Sequence, residues 1–156
     1  MISSRLIIID NVNEININHI KRCKASVILR NQDNKFKSLE STANKLKKNR
    51  INFYVYNKIK DIFKYKTNYL YISAHNKKPL KHIKLINKNI IILGAAHNYE
   101  EIFKKINQGC DIILLSRIFK SQTKSGFLGL HRFNLLRKIY PIPIIALGGI
   151  NTQNIK

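Results

Sequence analysis

The sequence predicts an α/β protein built as a parallel (β/α) barrel. Three observations predict it. The apolar runs are short and β-branched, of a length suited to buried strands. Amphipathic stretches with helical spacing lie between them, and that alternation means a parallel sheet. In the last third, strand-like runs recur about every twenty-odd residues, each followed by residues suited to phosphate or proton chemistry. A parallel barrel carries every strand's C-terminal end to one face, where ligands bind.

Taken in order, strands are expected over 5–9, 26–30, 51–56, 69–73, 90–94, 111–116 and 142–147. Phe36, Leu39, Ala43 and Leu46 fall at helical spacing, as do Ile102, Phe103 and Ile106, and Leu130, Phe133, Leu136 and Ile139. Asn98 is the expected N-cap of the second of these helices. Glu100 and Glu101 in its first turn favour the positive end of the helix dipole. Gly109 stands just past its end, where a left-handed cap is wanted. Pro141 and Pro143 stop the third helix and lead into the last strand. Seven strands can be counted where a barrel needs eight, and only Ile150 to Lys156 follow Gly149. The expectation is therefore a barrel truncated at the C-terminal side after strand seven. On that expectation residues 1–156 are a single domain that lacks the eighth βα unit. Either the chain is a fragment, which is the favoured reading, or the barrel stays open with two edges of the kind that pair with other chains, as in a homo-oligomer.

Composition bounds the function. At 156 residues the chain suits one domain with a real core. No apolar run reaches the length of a membrane span, and residues 1–5 lack a secretory pattern. Cys23 and Cys110 lack metal-ligand spacing and read as reduced thiols of a cytoplasmic protein. The formal charge is +21, from 29 Lys and Arg against 8 Asp and Glu. The lysines are scattered and no aromatic-and-basic motif of an RNA-binding module accompanies them. The expectation is no specific nucleic acid and no membrane partner. The positive field instead helps attract a small phosphorylated substrate.

The strand ends offer Asp10, Arg30, Asn57, Ser73 with His75, His97, Ser121-Gln122-Thr123-Lys124 and Gly148-Gly149. Arg30 and Lys124 suit phosphate, Arg through its planar fork. Ser121 and Thr123 supply hydroxyl donors, and Gly148 and Gly149 let a phosphate approach backbone N–H groups. His97 titrates near neutrality and suits proton transfer. Each has a structural alternative. A histidine after a strand also serves as a plain hydrogen-bonder, a Gly-Gly as a turn, and Asp10 as a cap of the next segment. His19, His82 and His131 read as surface residues on or beside helices, and Cys110 as a small core residue.

The joint pattern also resembles the thiamine phosphate synthase/TenI superfamily. Segments 91–97, 109–111, 118–124 and 143–150 are similar to that family's G-x-S-x-H, G-A-D, P-x-F-x-T-x-[ST]-K and P-x-x-A-[IL]-G-G-I segments, in the same order. The N-terminal half resembles it too, at 6–10, at 27–32 (the Q-L-R-x-K strand) and at 55–58 (the I-N-D strand). The resemblance implies a TIM barrel in thiamine biosynthesis. It implies a substrate site of Arg30, Asn57, Ser121, Thr123, Lys124, Gly148 and Gly149, with His97 as the catalytic group.

Departures from the family pattern choose among activities. The synthase joins a pyrimidine diphosphate to a thiazole phosphate with Mg²⁺ on the diphosphate. Its two metal aspartates correspond here to Lys58 and Asn76. Of Q-L-R-x-K only Arg30 is kept, with Ile28 and Gln32 at the Gln and Lys positions, and the serine of G-x-S-x-H is Ala95. The thiazole-phosphate side and His97 survive. The expectation is thus the TenI branch: an isomerase that moves a proton through His97 on a thiazole phosphate, with no metal and no cofactor. The alternatives are thiamine phosphate synthase, a transferase, for which Mg²⁺ is expected, and a non-catalytic phosphate-binding remnant.

Overall fold

In the computed structural model the described residues are 5–10, 15–30, 39–120, 126–151 and 153–154. The chain forms two compact units, Met1–Tyr71 and Ile72–Lys156, each described by itself.

The first unit alternates β1 (Leu6–Ile9), α1 (Ile17–Arg22), β2 (Ser26–Leu29), α2 (Leu39–Lys48), β3 (Phe53–Tyr56), α3 (Ile59–Lys64) and β4 (Tyr69–Ile72), whose last residue opens the next unit. β1 pairs β2, β2 pairs β3 and β3 pairs β4, all parallel. In β2 all four residues are buried, which explains its unbroken rather than alternating apolar pattern. α2 turns Thr42, Ala43 and Leu46 inward. That follows the expected spacing from Leu39 onward; Phe36 lies outside the described residues. The short α1 starts at Asn16, whose side chain accepts from the His19 amide.

The second unit holds α4 (Ile83–Ile86), β5 (Ile91–Ala96), α5 (Tyr99–Gln108), β6 (Ile112–Ser116), α6 (Leu130–Ile139) and β7 (Ile144–Leu147). β5 pairs β6 and β6 pairs β7, again parallel. All seven strands expected from the sequence are present, most of them trimmed at their ends. β5 instead runs two residues further than expected, because Ala95 and Ala96 stay in register with Leu114 and Leu115. Asp111, expected within β6, stands just before it. Its carboxylate accepts from the Ile92 amide at 2.9 Å and from Lys84 Nζ, tying the start of β6 to β5.

α5 is capped as expected. Asn98 accepts from the Glu101 amide at 2.9 Å, and Gly109 is left-handed at φ 105°. Its buried stripe differs from the expected one. Phe103 is 58% exposed, whereas Lys105 is 3% exposed. The buried residues are Ile102, Lys105 and Gln108, spaced by three, and Phe103 is rotated about 100° away from Ile102. The Lys105 ammonium donates to Ser73 O (2.8 Å), Asn76 O (2.7 Å) and Gln108 Oε1 (2.9 Å). The Gln108 amide donates to Asn76 O and Lys78 O. Together they clamp the segment that follows β4. Gly94 makes room for the clamp, since a Cβ there would lie 2.6 Å from Cys110 Sγ and 3.1 Å from Lys105 Cδ. Cys110 is indeed a buried core residue, and burial pushes its thiol up to about 11.

α6 departs from expectation as well. Phe133 is buried, but Leu130 and Ile139 are more than half exposed. The expected face is therefore covered only at its centre. His19, His82 and His131 are exposed, as expected. No helix among the described residues is long and apolar enough to cross a membrane.

Replacing Lys105 by Met would remove the ammonium from the Ser73 carbonyl and from the buried Gln108 Oε1, while Asn76 O keeps its bond from the Gln108 amide. Each orphaned acceptor costs about 1–3 kcal/mol. Urea denaturation should show K105M destabilised by at least that much, and an unchanged midpoint would refute the clamp.

Candidate functional site

At the C-terminal ends of β1 and β2, Arg30 Nε donates to Asp10 Oδ1 at 2.6 Å and its Nη2 donates to Asp10 Oδ2, a two-pronged ion pair. Register sets it up, for Ile9 and Leu29 are partners, so the residues after them face one another. Asp10, one of the strand-end residues singled out from the sequence, thus partners Arg30. Beside the pair lie Tyr56 and Tyr71, register partners with rings 5.8 Å apart. Burial raises the Tyr71 phenol, an effect that Arg30 opposes. Asn57 closes β3 in a left-handed turn at φ 55°, a conformation Asn tolerates, and its amide donates to Tyr71 O. A pocket nearby is lined by Leu29, Leu39, Val55, Tyr56, Lys58 and Asp61. Lys58 is exposed and sits at the N-cap of α3 without a side-chain capping bond. The first unit thus brings Arg30 and Asn57 to one end of its strands.

In the second unit His97 follows β5 directly. Its backbone amide and its Nδ1 both reach Glu101 Oε2, at 2.8 and 2.9 Å. Partial burial works to raise the Glu101 carboxyl. The hydrogen bonds and charge of His97, with a smaller contribution from His75, outweigh it and hold the carboxyl below its usual value. His75 and Asn76 lie on the segment clamped by Lys105 and Gln108. Asn76 Oδ1 accepts from the Lys78 amide at 3.0 Å.

Gly148 and Gly149 follow β7 with φ of 93° and 69°. They lie against the chain that leaves β6, since Ile118 N donates to Leu147 O and Phe119 N to Gly148 O, both at 3.0 Å. A Cβ on Gly149 would lie 2.6 Å from Lys120 O and 2.7 Å from Phe119 O. The glycine pair therefore admits the protein's own backbone, whatever else it admits. Ser121, Thr123 and Lys124, with Gln122, lie outside the described residues, as does Gln32. Among the described residues no group of three or more His, Cys, Asp or Glu side chains could hold a metal ion.

A sequence profile described as thiamine monophosphate synthase matches residues 9–156. The chain belongs to that family. Among relatives, a thiamine-phosphate synthase of Methanococcus maripaludis is 32% identical over 80 residues, which is 50% of this chain and 39% of the relative. One from Prochlorococcus marinus subsp. pastoris is 38% identical over 74 residues, 46% of this chain and 21% of the relative. A putative thiamine-phosphate synthase 2 of Aquifex aeolicus is 36% identical over 76 residues, 47% and 41% of the two chains. The chain thus matches well under half the length of these relatives. The structure of a thiamine phosphate pyrophosphorylase from Pyrococcus furiosus superposes with a TM-score of 0.70 at 16% identity, over 96% of this chain and 77% of that one. A KDPGal structure gives 0.59 at 11% identity. These likenesses show the fold, the parallel α/β barrel class read from the sequence. The names of these relatives lend no support to the TenI branch over the synthase.

The sequence reading missed three features. Glu101 was read only as a helix-dipole residue, although its i, i+4 spacing from His97 was visible. Tyr56 and Tyr71 sit on strands that read as uniformly apolar. Lys105 was one lysine among many, with nothing local to mark it as buried.

Two outcomes follow. Gly149→Ala should lose about 1–2 kcal/mol from the left-handed backbone alone, plus the cost of moving residues 119 and 120. A thermal melt within error of the native protein would contradict the close approach. Because the Glu101 carboxyl is depressed in the folded state, its stabilisation is present above the unfolded value of about 4.3. That stabilisation is lost as pH falls through the folded value. Acid unfolding of E101Q should therefore be less steep in that window than that of the native protein; identical profiles would count against the pairing.

Proposed function

We propose that the chain acts in thiamine biosynthesis on a phosphorylated thiazole, as a thiamine-phosphate synthase that couples it to hydroxymethylpyrimidine diphosphate. The profile match over residues 9–156 carries this reading, and the names of the relatives support it. The guanidinium of Arg30, paired with Asp10 at the strand ends of the first unit, is a group of the kind that binds phosphate. The +21 charge favours arrival of phosphorylated substrates.

The residues at the family's metal positions do not fit Mg²⁺. Lys58 offers an ammonium where a hard cation needs oxygen, and the Asn76 amide oxygen is engaged by the Lys78 amide. That misfit, with the His97–Glu101 pair, favours a second reading: a TenI-like isomerase in which His97 moves a proton on an anchored thiazole phosphate. Cytoplasmic placement accords with either reaction.

Two assays on the full chain separate them. Formation of thiamine phosphate from the two substrates supports the synthase, and its absence with active substrates overturns it. Conversion of a carboxythiazole phosphate to its aromatic tautomer supports the isomerase. There His97→Ala should cost about 10²–10⁴-fold in kcat, and an unchanged rate would remove that reading.

A further inference from the structure

The two bonds from His97 to Glu101 fix more than a position. Oε2 belongs to a carboxylate held ionised near neutrality, so it can only accept. A backbone N–H can only donate, so the 2.8 Å bond from the His97 amide orients that oxygen toward the residue. The 2.9 Å contact with Nδ1 then requires a hydrogen on Nδ1. In neutral imidazole one nitrogen carries the proton and the other the lone pair. Nε2 is left as the basic nitrogen. Glu101 is itself held, because its amide donates to Asn98 and it stands in the first turn of α5.

We propose that Glu101 is a positioning residue that holds neutral His97 as the Nδ1–H tautomer, making Nε2 the atom that exchanges a proton with substrate. In the exchange, Nε2 takes a proton from one carbon of the substrate's conjugated system and returns it to another, the double bonds shifting between the two sites, so that the imidazole ends neutral. Nδ1 keeps its own proton and its bond throughout. The Glu101 negative charge faces the imidazolium formed in between. His75 also acts on Glu101 by its charge, and the neighbouring Glu100 is paired with Lys104 at 3.8 Å. The functional half of the proposal rests on the isomerase reading above; the tautomer stands without it.

The test is long-range ¹H–¹⁵N correlation on the full chain labelled in histidine, at a pH where His97 is neutral. His97 is assigned by its loss in His97→Ala. The expected pattern is a protonated Nδ1 and an unprotonated Nε2. A protonated Nε2 in the native protein overturns the proposal, and this measurement needs no variant of Glu101 to fold. In E101A the pattern should shift toward Nε2–H, while E101Q, whose amide oxygen still accepts, should retain Nδ1–H. An unchanged tautomer in E101A also overturns it. If the isomerase is active, E101A should lower kcat tenfold or more with a smaller change in KM, and E101Q should recover part of the loss. A switched tautomer with unchanged kcat removes the positioning role. If His97→Ala itself retains full turnover, the isomerase reading fails, and the tautomer assignment still stands or falls by the spectrum.

Discussion

Parallel pairing is the constraint on which the remaining features depend. A parallel strand cannot return by a tight turn, so each needs a crossover, and each crossover begins at the same end of the sheet. Within the first unit this brings Asp10, Arg30 and Asn57 into one neighbourhood although they span nearly fifty residues of sequence. Within the second it brings the chain after β6 against Gly148 and Gly149. None of these juxtapositions is local. Each follows from the register that pairs Ile9 with Leu29, Tyr56 with Tyr71 and Ser116 with Leu147.

α5 turns that geometry into a defined site. Its first turn grips His97 through Glu101, and its buried face grips the segment after β4 through Lys105 and Gln108. A buried ammonium is tolerated only when its hydrogens are matched, and here three oxygens match them. Desolvation lowers the Lys105 amine even so. The clamp acts on the segment's main-chain carbonyls rather than its side chains, so it constrains the path of the segment. One helix thereby sets two neighbouring strand ends, and a displacement of α5 would disturb both together.

The strands were legible because buried parallel strands are short, β-branched and continuous, and no other element looks like that. The caps of α5 were legible for a different reason. Asn98 and Gly109 act within a few residues, and local chemistry is written locally. The buried stripe of α5 was not legible, since an apolar rule assigns Phe103 inward and Lys105 outward. The opposite holds because the carbonyls that receive Lys105 arrive from thirty residues away. The Asp10–Arg30 pair was hidden likewise, since each residue has an ordinary reading alone. Gly149 was half legible. A special backbone was expected there, but the neighbour that requires it is the protein's own chain at Phe119 and Lys120.

The charge at the turn after β3 separates the two chemistries open to this family. A carboxylate at that position recruits a dication, which orders phosphate oxygens around itself in fixed octahedral directions. An ammonium, such as that of Lys58, is a compact, rotatable point charge that imposes no such order. Coupling with loss of diphosphate asks for strong, directed stabilisation of charge growing on the leaving group. Proton transfer on an anchored phosphate asks for attraction at one end and a nitrogen of the right tautomer at the other. The two demands fall on different units of this chain. Lys58 lies in the first and the His97–Glu101 pair in the second.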